Sequence, residues 1–193
     1  MKCRNCNFKN IKKVISIGKQ PLSGIFLKKK SYSLKKYSLD LFLCNHCNLI
    51  QLGKNAPEKK MFGQTYGYQS SISKLMTNHL KKIYKKLIHK KYINNKSSVL
   101  DIGSNDGTFL NFFKKTNHLY GIDPTANKFK KFYKPYITRI NDFFSFENIK
   151  KKSSSQIKKK FDLITSIAMF YDINDPNKFC KDVYKLLNPN GIW

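Results

Sequence analysis

The stretch Ser98-Val99-Leu100-Asp101-Ile102, running into Gly103-Ser104-Asn105-Asp106-Gly107 and then Thr108-Phe109-Leu110, restricts the chain more than any other. Val99, Leu100 and Ile102 suit a parallel strand buried on both faces. Gly103 and Gly107 then let the backbone approach a ligand at the carboxyl end of that strand. Asp101 is the polar exception inside it. The spacing is Asp-x-Gly-x-x-x-Gly, which departs from the Gly-x-Gly-x-x-Gly of dinucleotide sites and so disfavours a pyrophosphate. A cofactor that does not present phosphate to this turn fits better.

The chain that follows alternates as βαβ units. Leu110 to Lys115 reads as a helix, and Leu119-Tyr120-Gly121-Ile122-Asp123 as a second strand ending in an acid. Asp123 comes 20 residues after Gly103, a placement from which it would accept hydrogen bonds from ribose hydroxyls. Pro124 to Phe132 restarts a helix, with proline in its first turn. Pro135 to Ile140 is a third strand. Asp142 and Phe143, just beyond it, either frame a purine ring or form an ordinary strand-to-helix cap. Phe161 to Ile167 is a fourth strand, and Ala168 to Pro176, with Tyr171 and Asp172, forms a loop at the carboxyl edge of the sheet. Phe179, Val183, Leu186 and Leu187 mark a helix that Asn188-Pro189-Asn190-Gly191 stops, and Ile192-Trp193 begins a fifth strand. Residues 98–193 are thus expected to form an incomplete Rossmann-like α/β domain.

Cysteine organises residues 1–65. Cys3-Arg4-Asn5-Cys6 and Cys44-Asn45-His46-Cys47 are two Cys-x-x-Cys knuckles, and four thiolates satisfy a closed tetrahedral zinc site. The bland alternative is a redox pair or unliganded thiols. His46 sits between two better ligands and is expected to stay outside the metal shell, and Cys180 reads as a small buried hydrophobe. The chain between the knuckles needs structure of its own. Val14, Ile15 and Ile17 precede a turn-like Gly18-Lys19-Gln20-Pro21. Tyr37, Leu39, Leu41 and Leu43 alternate with Ser38, Asp40 and Phe42 as a half-buried strand, and Leu49 to Leu52 is the strand leaving the second knuckle.

Residues 66–97 connect these domains. Tyr66 and Tyr68, flanked by glycine and serine, either reach a substrate or pack at a domain junction. Ile72, Leu75, Met76, His79, Leu80, Ile83, Tyr84, Leu87 and Ile88 then follow a 3.6-residue period, so an amphipathic helix is expected, with His79 in the core.

A balance of 38 Lys+Arg against 11 Asp+Glu, a net charge of +27, would ordinarily suggest nucleic acid. Only Arg4 and Arg139 are arginines, whereas base readers lean on arginine, and the lysines are spread along the whole chain. A zinc-ribbon module binding nucleic acid is therefore the alternative reading. The Lys150 to Lys160 run is low in complexity and reads as a solvated loop. Neither a membrane span nor a signal-peptide core is evident, so a cytoplasmic protein is expected.

Cys-Arg-x-Cys, Gln20-Pro21-Leu22, the Cys44/Cys47 knuckle with Leu49-Ile50-Gln51-Leu52, Tyr66-x-Tyr68-x-Ser70-Ser71, Gly103 to Gly107 and Gly121-Ile122-Asp123-Pro124 occur in one order. Together they resemble class I S-adenosylmethionine methyltransferases with an N-terminal zinc-binding domain, a group that includes sugar C-methyltransferases acting on nucleotide-linked keto-deoxysugars. The resemblance implies that Asp101, Gly103, Ser104, Asn105 and Gly107 form the cofactor turn and that Asp123 holds the ribose. It also implies enolate chemistry beside a ketone, with Tyr66, Tyr68, Tyr171 and Asp172 as candidates for the catalytic work. The family continues for about as many residues again, so the chain is expected to be an N-terminal portion, with activity of its own in doubt.

Overall fold

The computed structural model describes residues 1–22, 34–63, 65–152 and 160–193. The lysine- and serine-rich run read above as a solvated loop lies mostly outside them. In chain order the elements are β1 (Ile11–Pro21), β2 (Lys36–Cys44), β3 (Ile50–Leu52), α1 (Glu58–Met61), α2 (Lys74–His89), β4 (Ser98–Ile102), β5 (His118–Ile122), β6 (Ile137–Ile140), α3 (Phe146–Lys152), β7 (Phe161–Thr165), α4 (Pro176–Leu186) and β8 (Leu187–Ile192). The chain groups into two compact units, Met1–Gly67 with Ile173–Lys178, and Tyr68–Asp172 with Phe179–Trp193. No described helix is long and apolar enough to cross a membrane.

In the first unit β1, β2 and β3 form an antiparallel sheet in that order. The Gly18 to Pro21 segment is strand rather than turn. It pairs Lys19 with Ser38 and Pro21 with Lys36, and the irregularity between Ser16 and Lys19 is a bulge that Gly18 occupies at φ +76°. A bulge and a turn share the same residue preference, so the sequence alone does not separate them. β2 is half-buried along its length, ending in the fully buried Cys44.

The second unit carries a five-stranded sheet in the order β6-β5-β4-β7-β8, whose strand pairs are all parallel. This is the doubly wound order, in which the connection reverses direction beside the central strand β4 and opens a crevice there. Every residue of β4 is buried, the polar Ser98 and Asp101 included, as expected of a strand covered on both faces with Val99, Leu100 and Ile102 in it. α2 starts at Ser73, whose side chain accepts from the Met76 amide, an N-cap. Met76, Leu80, Ile83, Tyr84 and Leu87 pack it on the core with Val99, Phe109, Phe113 and Leu119. Ile72 and Leu75 are instead 76% and 84% exposed, and His79 is exposed too. The apolar face is one residue stripe narrower than periodicity suggests.

The helices expected after β4 and β5 are reduced to single 3-10 turns, Leu110–Phe112 and Lys130–Phe132. Asn111 gives a physical reason. Its side chain donates to the Phe132 carbonyl and accepts from the Lys134 amide, and its own carbonyl takes the Lys134 ammonium. These sideways bonds compete with the i to i−4 ladder. Asn188 to Gly191, read as a helix stop, lies inside β8. Phe161 pairs with Leu187 but Leu163 pairs with Ile192, so these residues bow out of the ladder while Asn188 holds the Asp162 carboxylate at 2.5 Å.

Candidate functional site

Both knuckles of the first unit close in the same way. The Asn7 amide donates to the Cys3 carbonyl and the Asn48 amide to the Cys44 carbonyl, each at 3.0 Å, while the Cys3 and Cys44 amides donate to Phe8 and Leu49 at 2.9 Å. Asn7 and Asn48 both sit at φ 60°, a left-handed position that asparagine tolerates. The asparagine that follows each second cysteine is the sequence signal for this closure. The four Sγ atoms of Cys3, Cys6, Cys44 and Cys47 lie within 4.8 Å of one another. Cys3 and Cys47 are 3.5 Å apart, Cys6 and Cys44 3.6 Å, close to the edges of a tetrahedron around a zinc ion.

The thiols are electrostatically prepared. The Leu49 amide pulls Cys47 down to about 6, and the Cys47 and His46 amides lower Cys44. For Cys6 the Phe8 amide acts in the same sense, but burial and the three other cysteines push the thiol up to about 12. Four thiolates need a cation between them, and the donor set fits zinc. His46 stays outside the cluster and packs on Phe8 at 5.2 Å between ring centroids. Arg4 ties the first knuckle to β3, with its guanidinium on the Leu52 carbonyl and Asn55 and its amide on Gln51.

In the second unit, the turn after β4 bends through three left-handed residues, Gly103 (φ 72°), Asn105 (φ 50°) and Gly107 (φ 75°). The parallel sheet brings this turn, Asp123 after β5, Asp142 and Phe143 after β6, and Phe170 to Asp172 after β7 to one edge. Asp123 is 8% exposed. One of its oxygens accepts from the Asn105 amide at 2.9 Å, the other from the Thr125 amide at 2.7 Å and hydroxyl at 2.5 Å. It shapes the turn itself, besides any ligand. Asp106, fully buried, accepts from Thr108 and from the Ser71 amide.

Asp101 is 4% exposed and accepts from the Thr165 hydroxyl at 2.6 Å. Burial, against the Thr165 bond and with the charge of Asp123, pushes its carboxyl up to about 7. Among the described residues no Lys or Arg ion-pairs with Asp101, Asp106 or Asp123. In a chain of net charge +27, three buried carboxylates left without a partner cation make one edge of this unit receptive to positive charge.

Ser104 turns inward. Its side chain fills space over Gly121, where a Cβ would meet Ser104 Oγ at 2.7 Å, and its hydroxyl lies 2.8 Å from that of Tyr133. Tyr68 to Ser71 runs along the turn: the Ser70 amide donates to Asn105 Oδ1 at 2.9 Å, and Asn105 Nδ2 donates to the Tyr68 carbonyl at 3.0 Å. The backbone of this segment therefore serves the turn, a role its sequence did not suggest. Tyr66 belongs to the first unit, its ring 5.5 Å from Phe62.

Asp142 is half-buried and accepts from the Phe143 amide, and Phe143 takes Asn148 on its carbonyl. Tyr171 is 76% exposed, while the half-buried Asp172 has its carboxyl raised by burial.

Residues 3–62 match a family described as "Putative zinc binding domain", and residues 73–193, more than half of the chain, match the family described as "Methyltransferase domain". No curated protein matches significantly. Similar solved structures include the plantazolicin methyltransferase BpumL, in complex with a pentazolic desmethylPZN analog and SAH, at 20% identity and TM-score 0.39 over 56% of this chain and 40% of that one. A second is a SAM-dependent methyltransferase from Thiobacillus denitrificans in complex with S-adenosyl-L-homocysteine, at 15% identity and TM-score 0.40 over 58% and 44%. A third is YjhP from E. coli, at 14% identity and TM-score 0.40 over 57% and 46%. The chain thus spans less than half the length of these three structures. By the match over residues 73–193, the chain belongs to the methyltransferase domain family.

Proposed function

We propose that the second unit holds S-adenosylmethionine at the Gly103 to Gly107 turn and that the protein transfers its methyl group to carbon, on a nucleotide-linked keto-deoxysugar. The observation that carries the cofactor part is the set of three buried carboxylates, Asp101, Asp106 and Asp123, around a turn with no partner lysine or arginine. A ligand with an ammonium and a sulfonium meets that demand, whereas a pyrophosphate opposes it. When bound, the cofactor supplies an electrophilic methyl group on sulfur.

The chain's own residues do the rest. Asp123, fixed by the Asn105 and Thr125 amides, keeps lone pairs for ribose hydroxyls. Asp142 and Phe143, at the neighbouring strand end, border the adenine. Asp172 or Tyr171 takes the proton from the carbon beside the ketone; burial of Asp172 raises its basicity, the direction that favours a general base. Tyr68, in the same unit, is the further candidate for substrate contact. Lysines at the surface suit the diphosphate of a nucleotide sugar. A four-thiolate site needs a reducing compartment, consistent with the cytoplasm.

The test is transfer of label from methyl-tritiated S-adenosylmethionine to a nucleoside-diphosphate keto-deoxysugar by the zinc-loaded chain. Label in the sugar, lost in Asp172→Asn or Tyr171→Phe, is expected. Retention of the cofactor with no transfer to any such sugar would overturn the substrate assignment and leave the cofactor site standing.

A further inference from the structure

The sequence marks the cofactor turn by its glycines and acids, but one side chain from 26 residues beyond Gly107, Tyr133, touches more of it than any of them. Its hydroxyl donates to the Asn105 carbonyl at 2.7 Å and lies 2.8 Å from Ser104 Oγ. With the single phenolic hydrogen directed at Asn105, Ser104 must be the donor of the second bond. The ring covers Gly107 so closely that a Cβ there would meet three ring carbons at 2.7 to 2.9 Å. Arg139 lies over the ring, 5.9 Å from its centroid, and the side chain is 7% exposed.

Asn105 shows why this matters. It is the one non-glycine among the three left-handed residues of the turn, and such a conformation persists only where its surroundings over-determine it. All four of its polar groups are engaged: the amide on Asp123, the side chain on Ser70 and Tyr68, and the carbonyl by Tyr133. The Tyr133 bond fixes the peptide plane after Asn105, while the Asp123 bond fixes the one before it. Together they set how the backbone of the turn is oriented beside Asp123.

We infer that Tyr133 is a positioning residue of the methyl-donor site, acting through the Asn105 carbonyl and the Gly107 backbone, an assignment that rests on reading this turn as that site. Burial and the carboxylates around it keep the phenol protonated, so it remains a donor throughout the neutral range.

The experiment compares the zinc-loaded chain with Tyr133→Phe, which keeps the ring over Gly107 and removes only the hydroxyl. Calorimetric titration with S-adenosylhomocysteine is expected to show affinity about tenfold weaker, the scale of one lost buried hydrogen bond. Amide exchange of Ser104 to Thr108 should quicken without any ligand. Ile149→Val, a buried change in α3 away from the turn, is the control for lost stability and should leave both readings unmoved. Unchanged affinity and unchanged turn exchange in Tyr133→Phe would overturn the assignment. If that variant fails to fold, the Tyr133 hydroxyl proton is read by NMR in the unmodified chain: slow exchange with water is expected from its bond to the Asn105 carbonyl, and exchange as fast as that of an exposed tyrosine would overturn the assignment. Should the unmodified chain bind no S-adenosylhomocysteine, the cofactor reading falls, and the exchange comparison still decides whether Tyr133 holds the turn.

Discussion

The two units keep their shape by different means. Among the described residues of the first, the buried side chains are Cys3, Cys44, Gln51 and Ala56, while Val14, Ile15, Ile17 and Ile50 are each more than half exposed. The second buries an entire parallel sheet and the aromatic and aliphatic residues around it. Apolar burial supports the second unit. Among the described residues it supports the first far less, and order there is gathered at the four thiols, the two knuckles and Arg4. A small sheet with so few buried apolar residues among those described is the usual setting of a structural metal.

Removing the metal should separate the units most sharply. A strong chelator is expected to unfold residues 1–67, because structural zinc contributes on the order of 10 kcal/mol to such sites, while amides of β4, β5 and β7 keep their protection. Hydrogen exchange followed by mass spectrometry reads both at once, and equal loss in the two units would break the contrast. Leu100→Ala reverses the experiment. A fully buried leucine in the central strand should cost about 2 to 5 kcal/mol in the denaturant transition of the second unit, with the zinc content unchanged by native mass spectrometry.

Asp101 sharpens the comparison through pH. An unfolded aspartate loses its proton near pH 4, whereas in the fold it is held until about 7. Between those values the folded state binds more protons, so this residue makes stability fall as pH rises and then level off, by at most about 1.4 kcal/mol per pH unit. Unfolding of the second unit measured from pH 5 to 8 should lose that component in Asp101→Asn. A slope identical to the unmodified chain would show that Asp101 ionises normally. The smallest effect belongs to Asn48→Ala. Alanine at φ 60° lacks the tolerance of asparagine, and about 1 kcal/mol should appear in zinc release and leave the second unit's transition untouched.

What could be read from sequence differs between the units for the same physical reasons. Cysteine spacing and period-two alternation declared the first unit's knuckles and strands, because both are local. The apolar run at Val99 to Ile102 and the acid at Asp123 declared the parallel sheet. Other features depend on contacts made at a distance. Asn111 turns an expected helix into a single 3-10 turn through bonds to residues 132–134. Tyr133 reaches the turn from across the fold, and Ser70 and Ser71 hold it by their amides, which carry no side-chain signature. Gly18 reads as a turn until its partner strand shows a bulge.

The central claim is that the carboxylate-lined turn of the second unit receives S-adenosylmethionine. Calorimetric titration of the zinc-loaded chain with S-adenosylmethionine, beside Asp123→Ala, tests it most directly. The account predicts one site per chain, binding that strengthens as pH rises through 7, and at least a tenfold loss in the variant. No heat with the folded chain, or equal affinity in Asp123→Ala, would contradict it.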